Sequence, residues 1–273
     1  MKKYILLLVI MTAVVHAETP AVSATPGAPN TVAAANTRSD PNAAVIQEIL
    51  AKINTAAKKL KSCQADLSYL TIQDPELLDT RVLQTGTLYY KKDNDRSKLR
   101  IRFDTIKQDD FEPEKQREEY LFDGVWGTHI NFKLKQIDKS QQAPEDKPID
   151  VFELINNYFP LIGFSGTETM EKEFDISLKK SRDPNESPCL ILNVKKDSKF
   201  KESYKKVYFT IDNKLNLPKK VVAFTPQGDE SHVEFTYTEI NKKLENAVFT
   251  VETPEDFREN IERLEDQPLR KER

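Results

Sequence analysis

Ser97-Lys98-Leu99-Arg100-Ile101-Arg102-Phe103 is the stretch that decides the fold class. In an extended chain Leu99, Ile101 and Phe103 fall on one side and Lys98, Arg100 and Arg102 on the other. That is the period of a strand with one buried and one wet face. The pattern recurs in Val207, Phe209 and Ile211, and in Val233, Phe235 and Tyr237 with Glu234, Thr236 and Thr238 opposite. Gly86, Leu88 and Tyr90 line one face of an earlier strand. Weaker strand candidates are 67–72, 119–122, 126–137, 174–178, 190–194 and 219–224. Turn pairs separate them at Asp93-Asn94, Asp123-Gly124, Asp212-Asn213 and Gln227-Gly228.

Two amphipathic helices interrupt the strands. Asp40 as N-cap and Pro41 at the first helical position open one that runs to about Lys61. Its apolar stripe is Ile46, Ile49, Leu50, Ile53, Ala57 and Leu60, with Lys52, Lys58, Lys59 and Lys61 in water. The second covers about 150–159, where Val151, Phe152, Ile155, Tyr158 and Phe159 share a stripe before Pro160 stops it. Many alternating strands with two such helices predict an α+β domain, a large curved antiparallel sheet with helices on its apolar face.

The chain ends predict export. Lys2 and Lys3 precede an apolar core at 4–15, and Val15-His16-Ala17 places small residues for cleavage before Glu18. That core is shorter than the ~20 residues of a membrane-spanning helix. The nearest cysteine to the cleavage point is Cys63, so no lipid anchor is expected and the mature form is read as soluble. Residues 18–39 are rich in Ala, Thr, Pro and Asn without apolar periodicity, the composition of a flexible arm. The expected organisation is a signal peptide at 1–17, an arm at 18–39, a folded domain at 40–258 and a charged tail at 259–273.

The net charge of −3 becomes −5 when Lys2 and Lys3 are removed, which argues against a nucleic-acid partner. The two cysteines, Cys63 and Cys189, leave two readings open: one bridge in an oxidising compartment, or two buried free thiols.

No catalytic constellation is found. His129 and His232 lack metal-ligand neighbours at useful spacing and read as surface strand residues. Gly163-Phe164-Ser165-Gly166 misses the G-x-S-x-G spacing of a nucleophile elbow and reads as a loop. The seven glycines form no dinucleotide or phosphate loop. Asp109, Asp110, Glu112 and Glu114 read as solvated charge between strands, and the basic run 195–206 as a solvated hairpin. No metal or cofactor is expected.

Taken in order, several motifs resemble the bacterial outer-membrane lipoprotein carrier family, the LolA/LolB fold. They are the opening helix and the strand after Cys63, Gly86-Thr87-Leu88-Tyr89-Tyr90-Lys91-Lys92, the basic strand to Phe103, and Leu121-Phe122-Asp123-Gly124 followed by Trp126. Leu217-Pro218-Lys219-Lys220-Val221-Val222 comes next, then Glu239-Ile240-Asn241 leading to Ala247-Val248-Phe249 and Pro254. The resemblance implies an open antiparallel half-barrel with helices lidding its concave apolar face. It also implies a periplasmic, non-enzymatic carrier of the acyl chains of lipoproteins or lipids between membranes, working with inner- and outer-membrane donor and acceptor proteins. The alternative is an envelope sensor or protein-docking module on the same half-barrel. On the carrier reading Leu88, Tyr90, Leu99, Ile101, Phe103, Phe122, Phe209 and Phe235 line the hollow, with Trp126 close to it. Lys92-Asp93 stands where the family's carriers have Arg-Pro, which makes Lys92 the candidate latch for the lid. An ammonium lacks the planar hydrogen-bonding fork of a guanidinium.

Overall fold

The computed structural model describes residues 42–93, 96–152, 154, 167–181, 183 and 185–266. The expected signal peptide and arm, Asp40, Pro41, Asn94 and the 163–166 loop lie outside them. So does most of the expected second helix, of which 151, 152 and 154 are described and helical.

Twelve strands form one open sheet in the order β12-β6-β5-β4-β3-β2-β1-β11-β10-β9-β8-β7. They are β1 (Ser62–Gln73), β2 (Thr80–Asp93), β3 (Arg96–Gln108), β4 (Glu114–Phe122), β5 (Trp126–Asn131) and β6 (Gln136–Gln141). After them come β7 (Phe174–Leu178), β8 (Cys189–Val194), β9 (Lys206–Ile211), β10 (Pro218–Phe224), β11 (Glu230–Ile240) and β12 (Arg258–Glu262). Eleven successive pairings join them, and all are antiparallel except β12 on β6. The α+β open half-barrel is therefore the architecture of the chain.

Helix α1 (Ala43–Lys59) is built from strong helix formers, with Lys58 and Lys59 in its last turn, where the helix dipole favours cations. It buries Ile46, Leu50 and Ile53 against β7–β10 in a cluster with Leu190, Leu192, Val207, Phe209 and Val221. Each of those side chains contributes about 2 kcal/mol by leaving water. A second cluster covers β1–β4 and β11, and Val151, Phe152 and Leu154 pack onto it.

The sequence reading differs from the structure in several places. Residues 126–137 form two strands, because Asn131 Oδ1 accepts from Leu134 N and Lys135 takes a left-handed φ of 52° to turn the chain. Helix α2 (Thr167–Glu173) contains a single apolar residue, the buried Met170, and so carries no apolar period. The basic run 195–206 is not merely solvated, since Phe200 and Tyr204 are buried in the α1 cluster. Residues 258–262, read as part of the domain boundary and charged tail, pair with β6 through their backbone, which composition does not reveal.

The concave face and its lid

Cross-strand register fixes which side chains share the concave face. One row runs Cys63, Tyr90, Leu99 and Phe122, and the next runs Ala65, Leu88, Ile101 and Tyr120. A third runs Phe235, Leu67, Gly86 and Phe103, and a fourth joins Phe209, Val221, Val233 and Tyr69. The two apolar clusters are thus halves of one face.

Of the nine residues expected at the hollow, Leu88, Tyr90, Leu99, Ile101, Phe103, Phe122 and Phe235 come together in the β1–β4 half. Phe209 lies in the α1 half. Trp126 does not join them. By register it shares the outer face with Thr128, Leu121 and Arg100, where its Nε1 donates to Glu145 Oε1 at 2.7 Å and Arg263 lies 5.8 Å over its ring. The eight others are all at most 9% exposed, so the face is filled. Two cavities, of about 420 and 370 Å³, lie elsewhere. One is on the outer face beside Asp66, Thr87 and Glu234, the other between α1 and Leu215.

Gly86 sits at a register shift between β2 and β3, and a Cβ there would come within 1.8 Å of the Arg102 carbonyl oxygen. The missing side chain lets β3 approach and gives Phe103 room, fully buried, between the Tyr69 and Tyr120 rings at 6.3 and 6.2 Å.

Residues 149–152 and 154 cover the β1–β4 half. The Phe152 ring lies 4.5 Å from that of Tyr90, Val151 N donates to Ser97 Oγ at 2.6 Å, and Ile149 N donates to Gly124 O at 2.9 Å. Asp150 opens the helical turn, accepting from Phe152 N at its Oδ1 and from Leu154 N at its carbonyl. Its other carboxylate oxygen is 3.4 Å from Lys92 Nζ, an ion pair whose side chains are 50% and 26% exposed. Lys92 therefore reaches the covering segment from the end of β2.

Toward β6 the same face turns polar. Glu118, 4% exposed, accepts from Gln84 Nε2 and Tyr120 OH, each at 3.2 Å, and lies 2.7 Å from His129 Nε2. The imidazole stacks on Tyr120 at 4.5 Å. Burial pushes the Glu118 carboxyl up, but the hydrogen bond and charge of His129 outweigh it, and its pKa ends below the usual value of 4.5. Burial, with the Glu118 charge second, drives the Tyr120 hydroxyl well above its ordinary range. The expectation of a surface His129 is corrected: its partners are Glu118 and Tyr120 on β4 and Asp138 on β6, which no local spacing announces. His232 is half-buried and pairs with Glu230 at 2.7 Å.

The outer face holds a second buried charge. Glu119, fully buried, receives Arg100 at 2.6 and 3.0 Å and Arg117 at 2.6 Å. Arg100 Nη1 also donates to Val248 O at 2.6 Å, fastening the C-terminal segment across the sheet.

Cys63 and Cys189 are both free thiols. β1 and β8 are separated by β11, β10 and β9, about 19 Å at the usual strand spacing, against the ~7 Å a bridge allows. The two thiols are free, but only Cys63 is buried and Cys189 is half-buried. Burial pushes the Cys63 thiol up to about 12, which makes it unreactive. Among the described residues no three His, Cys, Asp or Glu converge as a metal site, and no helix is long and apolar enough to cross a membrane.

The architecture defines a class: open antiparallel half-barrels whose concave face is covered by helices. No family model matches the chain, and no curated protein sequence matches it either. Similar solved structures include an uncharacterized conserved protein from Thermus thermophilus, at TM-score 0.47 and 12% identity over 80% of this chain and 99% of that one. MucB is similar at TM-score 0.45 and 12% identity, over 77% of this chain and 63% of that one. A LolA superfamily protein from Nitrosomonas europaea is similar at TM-score 0.32 and 15% identity, over 75% and 97%. These are likenesses of outline, and nothing about ligand or partner follows from them.

Proposed function

We propose that the chain is an exported, non-enzymatic binder of the acyl chains of lipoproteins or lipids, acting as a carrier between membranes in the periplasm. The observation that carries the reading is the cover made by 149–152 and 154. It hides an aromatic and aliphatic surface, yet is tied at its start by the half-exposed Lys92–Asp150 pair. Lifting it uncovers Tyr90, Leu99 and Phe122, a greasy surface with no charge among them, which suits an alkyl chain and offers no group for turnover.

A second reading is favoured by the filled state of the face: a docking module whose sheet is simply a core. Titration with a fluorescent fatty-acyl probe separates the two. Saturable binding without probe hydrolysis, weakened about tenfold or more by Leu99→Glu or Ile101→Glu, supports the carrier, because a charge is then placed in an apolar site. Absence of saturable binding by the native protein sinks the carrier and leaves the docking module.

A further inference from the structure

Leu77, Phe111 and Leu78 are 84%, 72% and 65% exposed. They sit on neighbouring hairpin tips, the two leucines on 74–79 between β1 and β2, the phenylalanine on 109–113 between β3 and β4. Register puts both tips at one end of the sheet, since Gln73 faces Thr80 and Val82 faces Gln108. The tips are laced together: Asp109 N donates to Arg81 O at 2.8 Å, and Asp109 Oδ1 accepts from Arg81 N at 2.7 Å.

Each tip is also ordered within itself. The Asp74 carbonyl accepts from Leu77, Leu78 and Asp79 N, and the Gln108 carbonyl accepts from Phe111 N. The apolar side chains are therefore held outward by turns with defined hydrogen bonds. The next tip along the same end presents Leu134, 66% exposed. Single exposed apolar residues are ordinary, but a row of them on adjacent, rigid tips marks a contact surface.

The charge around them selects the partner. Asp74, Glu76, Asp79, Asp109, Asp110 and Glu112 lie on the two central tips, which contain no Lys or Arg. Arg81, just inside β2, answers Asp79 with its Nε at 2.9 Å, and with Lys107 and Lys115 beside the other tip it offsets only part of the six carboxylates, so the tips stay net negative. Anionic membrane surfaces repel such a rim, whereas Lys and Arg on a protein complement it.

We propose that these two tips are a docking surface for a protein partner that offers an apolar helix face flanked by Lys and Arg. The surface lies at the end of the sheet opposite Lys92 and Ser97, where the 149–151 stretch is tied. It stands whether or not the concave face binds acyl chains.

The test is a titration of the mature chain with a labelled amphipathic helical peptide of Leu and Lys, beside its Leu and Glu counterpart. Vesicles of phosphatidylethanolamine and phosphatidylglycerol form a third arm. The expected result is binding of the Leu/Lys peptide alone, weakened about tenfold or more in a Leu77→Ser, Leu78→Ser, Phe111→Ser variant and in a Glu76→Lys, Asp110→Lys, Glu112→Lys variant. Unchanged thermal unfolding certifies that both variants fold. The proposal is overturned if the Leu/Lys peptide fails to bind, or if it binds the serine variant as well as the native chain. It is equally overturned if the tips drive vesicle binding, which would make them a membrane anchor.

Discussion

At the scale of single residues, burial decides what each polar group contributes. Glu119 has no exposure and answers two guanidinium groups, so its loss strands Arg100 inside the fold. Glu119→Ala is expected to cost about 3 kcal/mol in urea unfolding, more than any exposed ion pair contributes. Glu118 carries a pH dependence of definite sign. Its carboxylate form is favoured in the folded state, so its contribution is complete above the ordinary value of 4.5 and is lost as pH falls through the lower folded value. The stability difference between native chain and Glu118→Gln should be largest near neutral pH and shrink below about pH 4, followed by thermal melts across the range. A constant difference would mean that shape rather than charge matters there. Gly86→Ala needs β3 to move away from β2, because its methyl meets backbone rather than a yielding side chain. A loss of several kcal/mol, about the upper range of a single core change, is the expected calorimetric result.

At the scale of elements, the covering segment is the part with a moving role in the proposed function. Lys92→Leu removes the ammonium from Asp150, and the half-exposed pair contributes only about 1 kcal/mol or less to folding. Stopped-flow release of an acyl probe should therefore quicken several-fold while the melting temperature barely changes. Release at the native rate would retire the latch and leave Lys92 as surface charge that also donates its backbone N–H to Lys61 O. The elements themselves are unequally legible. Strand β3 can be read because its outer face is polar, so Lys98, Arg100 and Arg102 punctuate Leu99, Ile101 and Phe103. β12 and α2 cannot, since Arg258-Glu259-Asn260-Ile261-Glu262 and Thr167–Glu173 have no apolar period and are held by pairing and by their neighbours. His129 is hidden for the same reason at smaller scale. Its environment is assembled from Glu118 and Tyr120 on β4 and Asp138 on β6, and no spacing within β5 encodes it. Trp126 falls on the unexpected face because residues 126–137, taken as a single strand, give no anchor for its side.

At the scale of the molecule, the most distant parts of the chain make the middle of the sheet. β1 pairs with β11, and Asn241 Oδ1 accepts from Lys61 N at 2.7 Å across a sequence separation of 180 residues, while its Nδ2 donates to Lys59 O at 3.1 Å. Contacts of such long range are slow to form, because the loop they close loses entropy before any pairing rewards it. A chain ending before Glu230 should leave the β1 amides that face β11 open to hydrogen exchange. Protection there would mean that the first half folds by itself. The seam thus acts as a clock as well as a joint. On the proposed route of export, a chain emerging N-terminus first can lay down β1 to β6 early, but the sheet cannot be completed until β11 has followed, so most of the chain can pass a narrow opening before the finished fold would bar the way.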